Sequence, residues 1–193
     1  SIVDRVSRGL LPVPDRDYLE PLGGVRKVRP SEGLAVPTES GEVVWRAYRA
    51  EGEILDFSET VGRSDQANVF AACVVRTVDA VEVLVDLQTV LGARLWLNGF
   101  PVATPAPVAP AAAGLQRHVA RLRNGDNQFM LQVPLASLDT LAAAENSTPQ
   151  ALRETVMATR PMLKSANGFE AAIRFRPVAR AGQLVYVPRF MET

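Results

Sequence analysis

The side chains able to do chemistry in this sequence are few and scattered. His118 is the only histidine, so a Ser-His-Asp arrangement would have to use it. It sits between Arg117 and Val119 in a stretch that reads as a strand, which suits a structural or surface histidine better than a catalytic loop. A single histidine also excludes a histidine-cluster metal site. Cys73 stands alone, so no intrachain disulfide can form. It lies in the apolar run FAACVVRT with no cationic neighbour before Arg76, and so reads as an inert buried thiol rather than a nucleophile. Asp15 with Asp17, and Glu51 with Glu53, are the carboxylate pairs to weigh for glycoside hydrolysis. That chemistry needs two acids facing each other across a cleft, whereas neighbours on one turn read as solvated loop charges. No catalytic residue and no protein-held metal centre is expected, because no acid, base and nucleophile converge.

Binding chemistry is a different matter. Glycan recognition uses exposed aromatic platforms, and only 6% of this chain is aromatic. Trp45, Tyr48, Phe57, Phe70, Phe129, Phe169 and Phe175 all fall where a core needs bulk. Trp96 is the exception: it alternates out of phase with Leu95 and Leu97, which puts it on the opposite face of its strand beside Arg94. Two readings stay open for it, packing on that face with Arg94 or lying open to a ligand or partner. Leu11 and Tyr18, apolar residues of the N-terminal segment, are the other candidate contacts.

Composition narrows the classes further. The 193 residues are 47% hydrophobic, enough for one domain with a proper core and well away from a disordered composition. Lysine plus arginine equals aspartate plus glutamate at 21 each. Nucleic-acid binding draws on a basic face that releases counterions, so a nucleic-acid partner is not expected. No apolar run approaches the roughly 20 residues that span a bilayer, so no transmembrane segment is expected.

The elements that position these residues are mainly strands. Residues 1–40 read as an extended arm, with Pro12, Pro14, Pro21, Pro30 and Pro37 removing backbone donors. Its leucines, valine and tyrosine lie against protein, either its own domain or another subunit. Residues 41–193 read as one sandwich domain. Val43–Tyr48 is the first strand, anchored by Trp45 and Tyr48. Ile54, Leu55 and Phe57 suggest a short strand, Ser58 to Asn68 a loop, and Val69 to Val78 a central strand. Val81, Val83, Val85 and Leu87 alternate with more polar neighbours, the period of a strand with one face on the core. Asn98-Gly99 predicts a type I′ hairpin, Thr104 to Gly114 a proline-containing connector, and Asn124-Gly125 another turn before Phe129, Leu131 and Val133. From Pro134 to about 161 the period is helical, with Thr148 as a cap and Pro149 at the first helical position. Phe169, Ala171, Ile173 and Phe175 make a further half-buried strand, and Leu184 to Val187 a last short one. Short antiparallel strands with turn signals predict a mainly β, jelly-roll sandwich with an extended arm and a helical insertion.

The stretch from Asn68 to Val133 resembles the galactose-binding-domain-like jelly rolls, the lectin-like modules attached to many glycoside hydrolases and surface proteins. The resemblance rests on FAACVVRT, VEVLVDL, RLWLNGFPV with its Asn98-Gly99 turn, and Leu122, Gly125 and Asn127 leading into FMLQV. It covers about a third of the chain, and the arm and helical insertion are not standard parts of such a module. Asn98, Gly99, Gly125 and Asn127 are turn residues of the fold, not a sugar site. The resemblance implies the fold, is compatible with a structural calcium ion, and brings carbohydrate binding by analogy alone.

Two functions follow as expectations. The first is a non-catalytic structural or interaction subunit, docked to other protein subunits through its arm and sandwich surface. The second is a carbohydrate-binding module with a glycan partner. The expected setting is the periplasm or the cell exterior, with the cytoplasm as the alternative.

Overall fold

The computed structural model of the protein describes residues 17–38, 41–50, 52–62, 65–103 and 115–178. Leu11, Asp15, Glu51, the connector at 104–114 and the strand expected at 184–187 lie outside those residues.

Ten strands are described: β1 (Ala35–Thr38), β2 (Gly41–Val44), β3 (Ile54–Asp56), β4 (Gln66–Thr77), β5 (Val81–Thr89), β6 (Arg94–Leu97), β7 (Phe100–Ala103), β8 (Gln116–Leu122), β9 (Gly125–Ala136) and β10 (Glu170–Pro177). β1 and β2 form a separate two-stranded ribbon. The other eight make two antiparallel sheets in the orders β3-β10-β5-β8 and β4-β9-β6-β7. Successive strands thus alternate between sheets except at the β6–β7 hairpin, the connectivity of a jelly roll.

The alternation read in the sequence explains why the sheets stack. Val83, Val85 and Leu87 of β5 meet Leu95 and Leu97 of β6 and Phe129, Leu131, Val133 and Leu135 of β9 in one buried cluster. Ala171 joins them from β10, with Ile173 and Phe175 at the margin, and the rings of Phe129 and Phe175 lie 4.7 Å apart. Burying each large side chain contributes roughly 1.5–3 kcal/mol, and these residues are what hold the layers together.

Both outer faces are partly covered. Helices Leu138–Glu145 and Pro149–Thr159 close over one end of the β3-β10-β5-β8 sheet, burying Leu141, Leu152 and Val156 with Val90 and Ala172. Ser137 and Thr148 cap them, accepting from the backbone N–H of Thr140 and Ala151. Arg160, wholly buried just after the second helix, donates to the carbonyls of Thr89 (2.9 Å) and Val90 (3.3 Å), pinning the insertion to the end of β5. The chain then returns to β10 through a loop gathered by the buried Glu170 carboxylate, which accepts from the N–H groups of Ser165 and Ala166 and from the Ser165 hydroxyl. On the opposite sheet, Leu19, Val25, Val28 and Val36 bed on Met130, with Phe70 and Trp96 at the edge of the cluster. The described part of the arm therefore lies on its own domain.

Three readings of the sequence need correction. The first strand stops at Val44, and Trp45–Ala50 is irregular. Tyr48 is not a core anchor. It is 51% exposed, because its hydroxyl reaches Asp56, accepting from that residue's N–H (3.0 Å) and donating to its carbonyl (3.1 Å), while the ring rests on Phe57. Second, the segment 58–68 holds a single helical turn, Ser58–Val61, and the start of β4. Third, β9 runs straight through Pro134 to Ala136, with Pro134 opposite Asn68. β6 leaves β9 at Gln132, so beyond that point β9 has one strand neighbour and tolerates a residue without N–H. The helical insertion begins after Ala136.

Candidate functional site

Asn98 and Gly99 at the tip of the β6–β7 hairpin have φ of 53° and 83°, as a type I′ turn requires. The tip is held from below by the second turn motif. The Asn98 amide donates to Asn127 Oδ1 (3.2 Å), and the Gln128 N–H donates to Asn98 Oδ1 (2.9 Å). Asn127 is wholly buried and spans its own turn, accepting from the Arg123 N–H and donating to the carbonyls of Arg123 and Gly125. Gly125 takes φ +88°. Asn98, Gly125 and Asn127 thus form one hydrogen-bonded unit beside Gly99, and they hold the hairpin that carries Arg94 and Trp96.

Strand parity places Arg94 and Trp96 on the outer face of β6, opposite Gln132 and Met130 of β9, while Leu95 and Leu97 are buried inside. The arm crosses this face. The Asp17 carboxylate accepts from the Leu19 N–H (3.0 Å), a turn of 3₁₀ helix follows at Glu20–Leu22, and Gly23 and Gly24, at φ +88° and +80°, bend the chain back. Leu19, Val25 and Val28 are then pressed onto the sheet, and Gln128 donates to the Val28 carbonyl (3.3 Å). The approach is close: a Cβ on Gly99 would come 2.8 Å from the Arg26 Cα.

Between arm and sheet lies a half-open cleft of about 360 Å³. Asp17, Gly23, Gly24, Val25 and Arg26 form one wall, and Arg94, Trp96, Gly99, Pro101 and Gln132 the other. Of the residues picked from sequence, Arg94 and Trp96 come together here. Tyr18 does not line the cleft: it packs edge-on against Phe70, 6.4 Å between ring centres, and its hydroxyl accepts from the Asn68 amide (3.2 Å). Asp17, Arg26 and Gln132 were missed. Asp17 reads as a loop charge and Gln132 as an ordinary strand polar residue, and the one signal in the arm was Gly23-Gly24, which marks the reversal that brings Asp17 and Arg26 to the sheet.

Cys73 and Glu53, two of the groups weighed for catalysis, have structural settings, as does Asp86. Burial pushes the Cys73 thiol up to about 12, so it holds its proton and is a poor nucleophile. Glu53 pairs with Arg174 at the surface. Asp86, almost fully buried on the outer face of β5, accepts from Arg117 (2.7 Å) and from Arg176. The Arg117 hydrogen bond leads in holding its carboxyl below the usual carboxylate range, against burial. Among the described residues no group of three or more His, Cys, Asp or Glu side chains could hold a metal ion, and no helix is long and apolar enough to cross a membrane.

His118 points inward from β8, in the row of Ala120 and Leu122, opposite Val85, and its Nε2 is enclosed without a hydrogen-bond partner. Burial lowers its pKa below the ordinary 6.5. Between the two values the unfolded chain binds the proton and the folded chain does not, so unfolding is favoured as protons are added. The stability owed to neutral His118 is complete above about pH 6.5 and is lost as pH falls toward the lowered folded value. Urea midpoints taken from pH 7.5 to 5 should fall along this window, and His118→Gln should flatten the fall. Equal slopes in the two proteins would contradict the enclosed, neutral imidazole.

Set against protein-family models, curated proteins and solved structures, the chain matches none of them.

Proposed function

We propose that this domain is a non-catalytic binding module of the galactose-binding-domain-like kind, and that the cleft between the arm and the β6–β7 face is its site for a saccharide unit. The supporting observation is the meeting of Trp96 with Asp17, Arg26, Arg94 and Gln132 around one cleft. An indole offers an apolar plate to the C–H face of a sugar ring, and planar carboxylate, guanidinium and amide groups suit pairs of neighbouring hydroxyls. One carboxylate lines the cleft among the described residues, whereas both glycosidase mechanisms use two.

The test is a polysaccharide and oligosaccharide array, followed by titration of the best ligand. Trp96→Ala should weaken binding at least tenfold, about 1.4 kcal/mol, while Trp96→Phe, which keeps an aromatic plate, should retain most of it. Failure of the folded protein to retain any glycan would remove this reading.

A second reading, docking to another protein subunit, is favoured by the β1–β2 ribbon. All four residues of β2 are exposed, Val43 by 60% and Val44 by 44%, and β2 has no strand partner beyond β1 among the described residues. An unpaired strand edge with apolar side chains is a template for an added strand. Deleting residues 1–40 would also strip Leu19, Val25 and Val28 from Met130, so the cleaner variant is Val43→Asp with Val44→Asp. Under this reading that pair abolishes association with the partner subunit and leaves the fold intact.

A further inference from the structure

We infer that the outer edge of β4 is a self-association surface, on which a second copy of this chain adds its own β4 antiparallel about a two-fold axis. The β4-β9-β6-β7 sheets of the two copies then run on as one. The inference is independent of the saccharide reading and uses a different strand from the β1–β2 ribbon.

The two four-stranded sheets end in β3, β8, β4 and β7. A sheet edge presents unpaired N–H and C=O groups, and proteins guard it with short strands, charge, proline or a bulge. Three of these edges are guarded. β3 has three residues, β7 has four with Pro101 among them, and β8 turns Arg117 and Arg121 outward. β4 has none of these devices. It runs for twelve residues in unbroken register with β9, and from Gln66 to Val75 it carries neither a charge nor a proline. Its far side has no strand partner among the described residues, and Ala72 and Val74 are exposed on its outer face, Val74 by 55%.

The strand that fits such an edge must be straight, uncharged and apolar on both faces, and a second β4 supplies all three. With the axis at Ala72, that residue meets its own copy. Phe70 then faces Val74 of the second copy on the outer side, and Val69 faces Val75 of the second copy on the core side. Aromatic and β-branched pairs of this kind are what stabilise neighbouring strands. The small residues Ala71, Ala72 and Cys73 fall at the axis, where each strand meets its own image and bulk would clash. Charge agrees with this register. Arg76 is matched within its own chain by Asp126 (2.6 Å) and would face the neutral Asn68 of the second copy, whereas an axis at Arg76 would oppose two guanidinium groups. The net charge of zero leaves no general repulsion between copies.

The full chain is tested by sedimentation equilibrium over a range of concentrations. A reversible monomer–dimer equilibrium is expected. Val74→Lys, which puts a charge on an exposed position of the edge, should raise the dimer Kd at least tenfold with unchanged circular dichroism. In a Cys73→Ala background, a short bis-maleimide should link Ala72→Cys to its own copy but not Val119→Cys, which is exposed on the other sheet. A protein monomeric at every concentration would overturn the inference, as would a dimer indifferent to Val74→Lys or Ala72→Cys linking no better than Val119→Cys. A dimer abolished by Val43→Asp with Val44→Asp and spared by Val74→Lys would put the contact on the β1–β2 ribbon and overturn it too.

Discussion

Gly168→Ala should destabilise the protein by about 3 kcal/mol or more, a sizeable share of the roughly 5–15 kcal/mol by which a folded domain is stable. Gly168 has φ +89°, and a Cβ there would lie 2.0 Å from the Ala136 carbonyl oxygen and 3.1 Å from its carbon. Two costs add. An L-residue in the left-handed region costs about 1–2 kcal/mol, and pushing a methyl group into packed backbone costs about 1–3 kcal/mol more. The backbone cannot yield easily, because this is where the chain leaves β9 for the helices and where it comes back to β10. On one side Ala136 is the last residue of β9, and on the other Phe169 donates to Asn167 Oδ1 and Glu170 gathers the preceding loop. Gly125→Ala is the internal control. Its φ is +88° but nothing lies within 4 Å of the added Cβ, so it should show the conformational cost alone, about 1–2 kcal/mol. Urea unfolding of both variants measures the difference. A Gly168→Ala protein no less stable than the Gly125→Ala protein would mean that the two crossings do not touch as described.

Asn127→Ala should cost about 2–4 kcal/mol, because the amide is wholly buried and every group it serves would lose a hydrogen bond. The Arg123 N–H, the Gly125 carbonyl and the Asn98 amide are bonded to it, and the Arg123 carbonyl would keep the Thr77 hydroxyl (2.7 Å) as its donor. The effect should also reach the cleft. Asn98 holds the hairpin tip that seats Gly99 against Arg26, so loosening Asn127 should weaken the saccharide binding proposed for the cleft although Asn127 is not a lining residue. Asn127→Asp separates hydrogen bonding from packing. It keeps the shape but turns an oxygen toward the Arg123 and Gly125 carbonyls, where only a donor is welcome. Its carboxyl should therefore titrate higher in the folded protein than in the unfolded chain. The stability tied to the protonated form is then present at low pH and lost as pH rises. Relative to Asn127→Ala at each pH, Asn127→Asp should be the more stable in acid and lose that advantage toward neutrality. The same difference at pH 4 and pH 7 would contradict the donor role of the Asn127 amide.

Much of the body was legible because it obeys local rules. The alternation at Val81, Val83, Val85 and Leu87, the out-of-phase position of Trp96 and the turn at Asn98-Gly99 each follow from a period of two or a positive φ, and the structure bears them out. Thr148-Pro149 likewise starts a helix as its cap chemistry requires. Local rules failed where a distant segment set the outcome. Pro134 looks like the end of a strand, yet stays in β9 because β6 has already departed. Tyr48 looks like a core anchor, yet its hydroxyl is drawn to Asp56 at the surface.

The cleft shows the division most clearly. Residue order alone dictates a strand that turns Arg94 and Trp96 away from the core, a paired turn chemistry in Asn98, Gly99, Gly125 and Asn127, and an apolar arm seeking cover. Which sheet the arm lies on, and hence that Asp17 and Arg26 stand opposite Trp96 and Gln132, was decided by packing. Leu19, Val25 and Val28 leave water only against a surface of matching shape, and that surface, Met130 with Phe70 and Trp96, exists only once β4, β9 and β6, drawn from between Gln66 and Ala136, have paired.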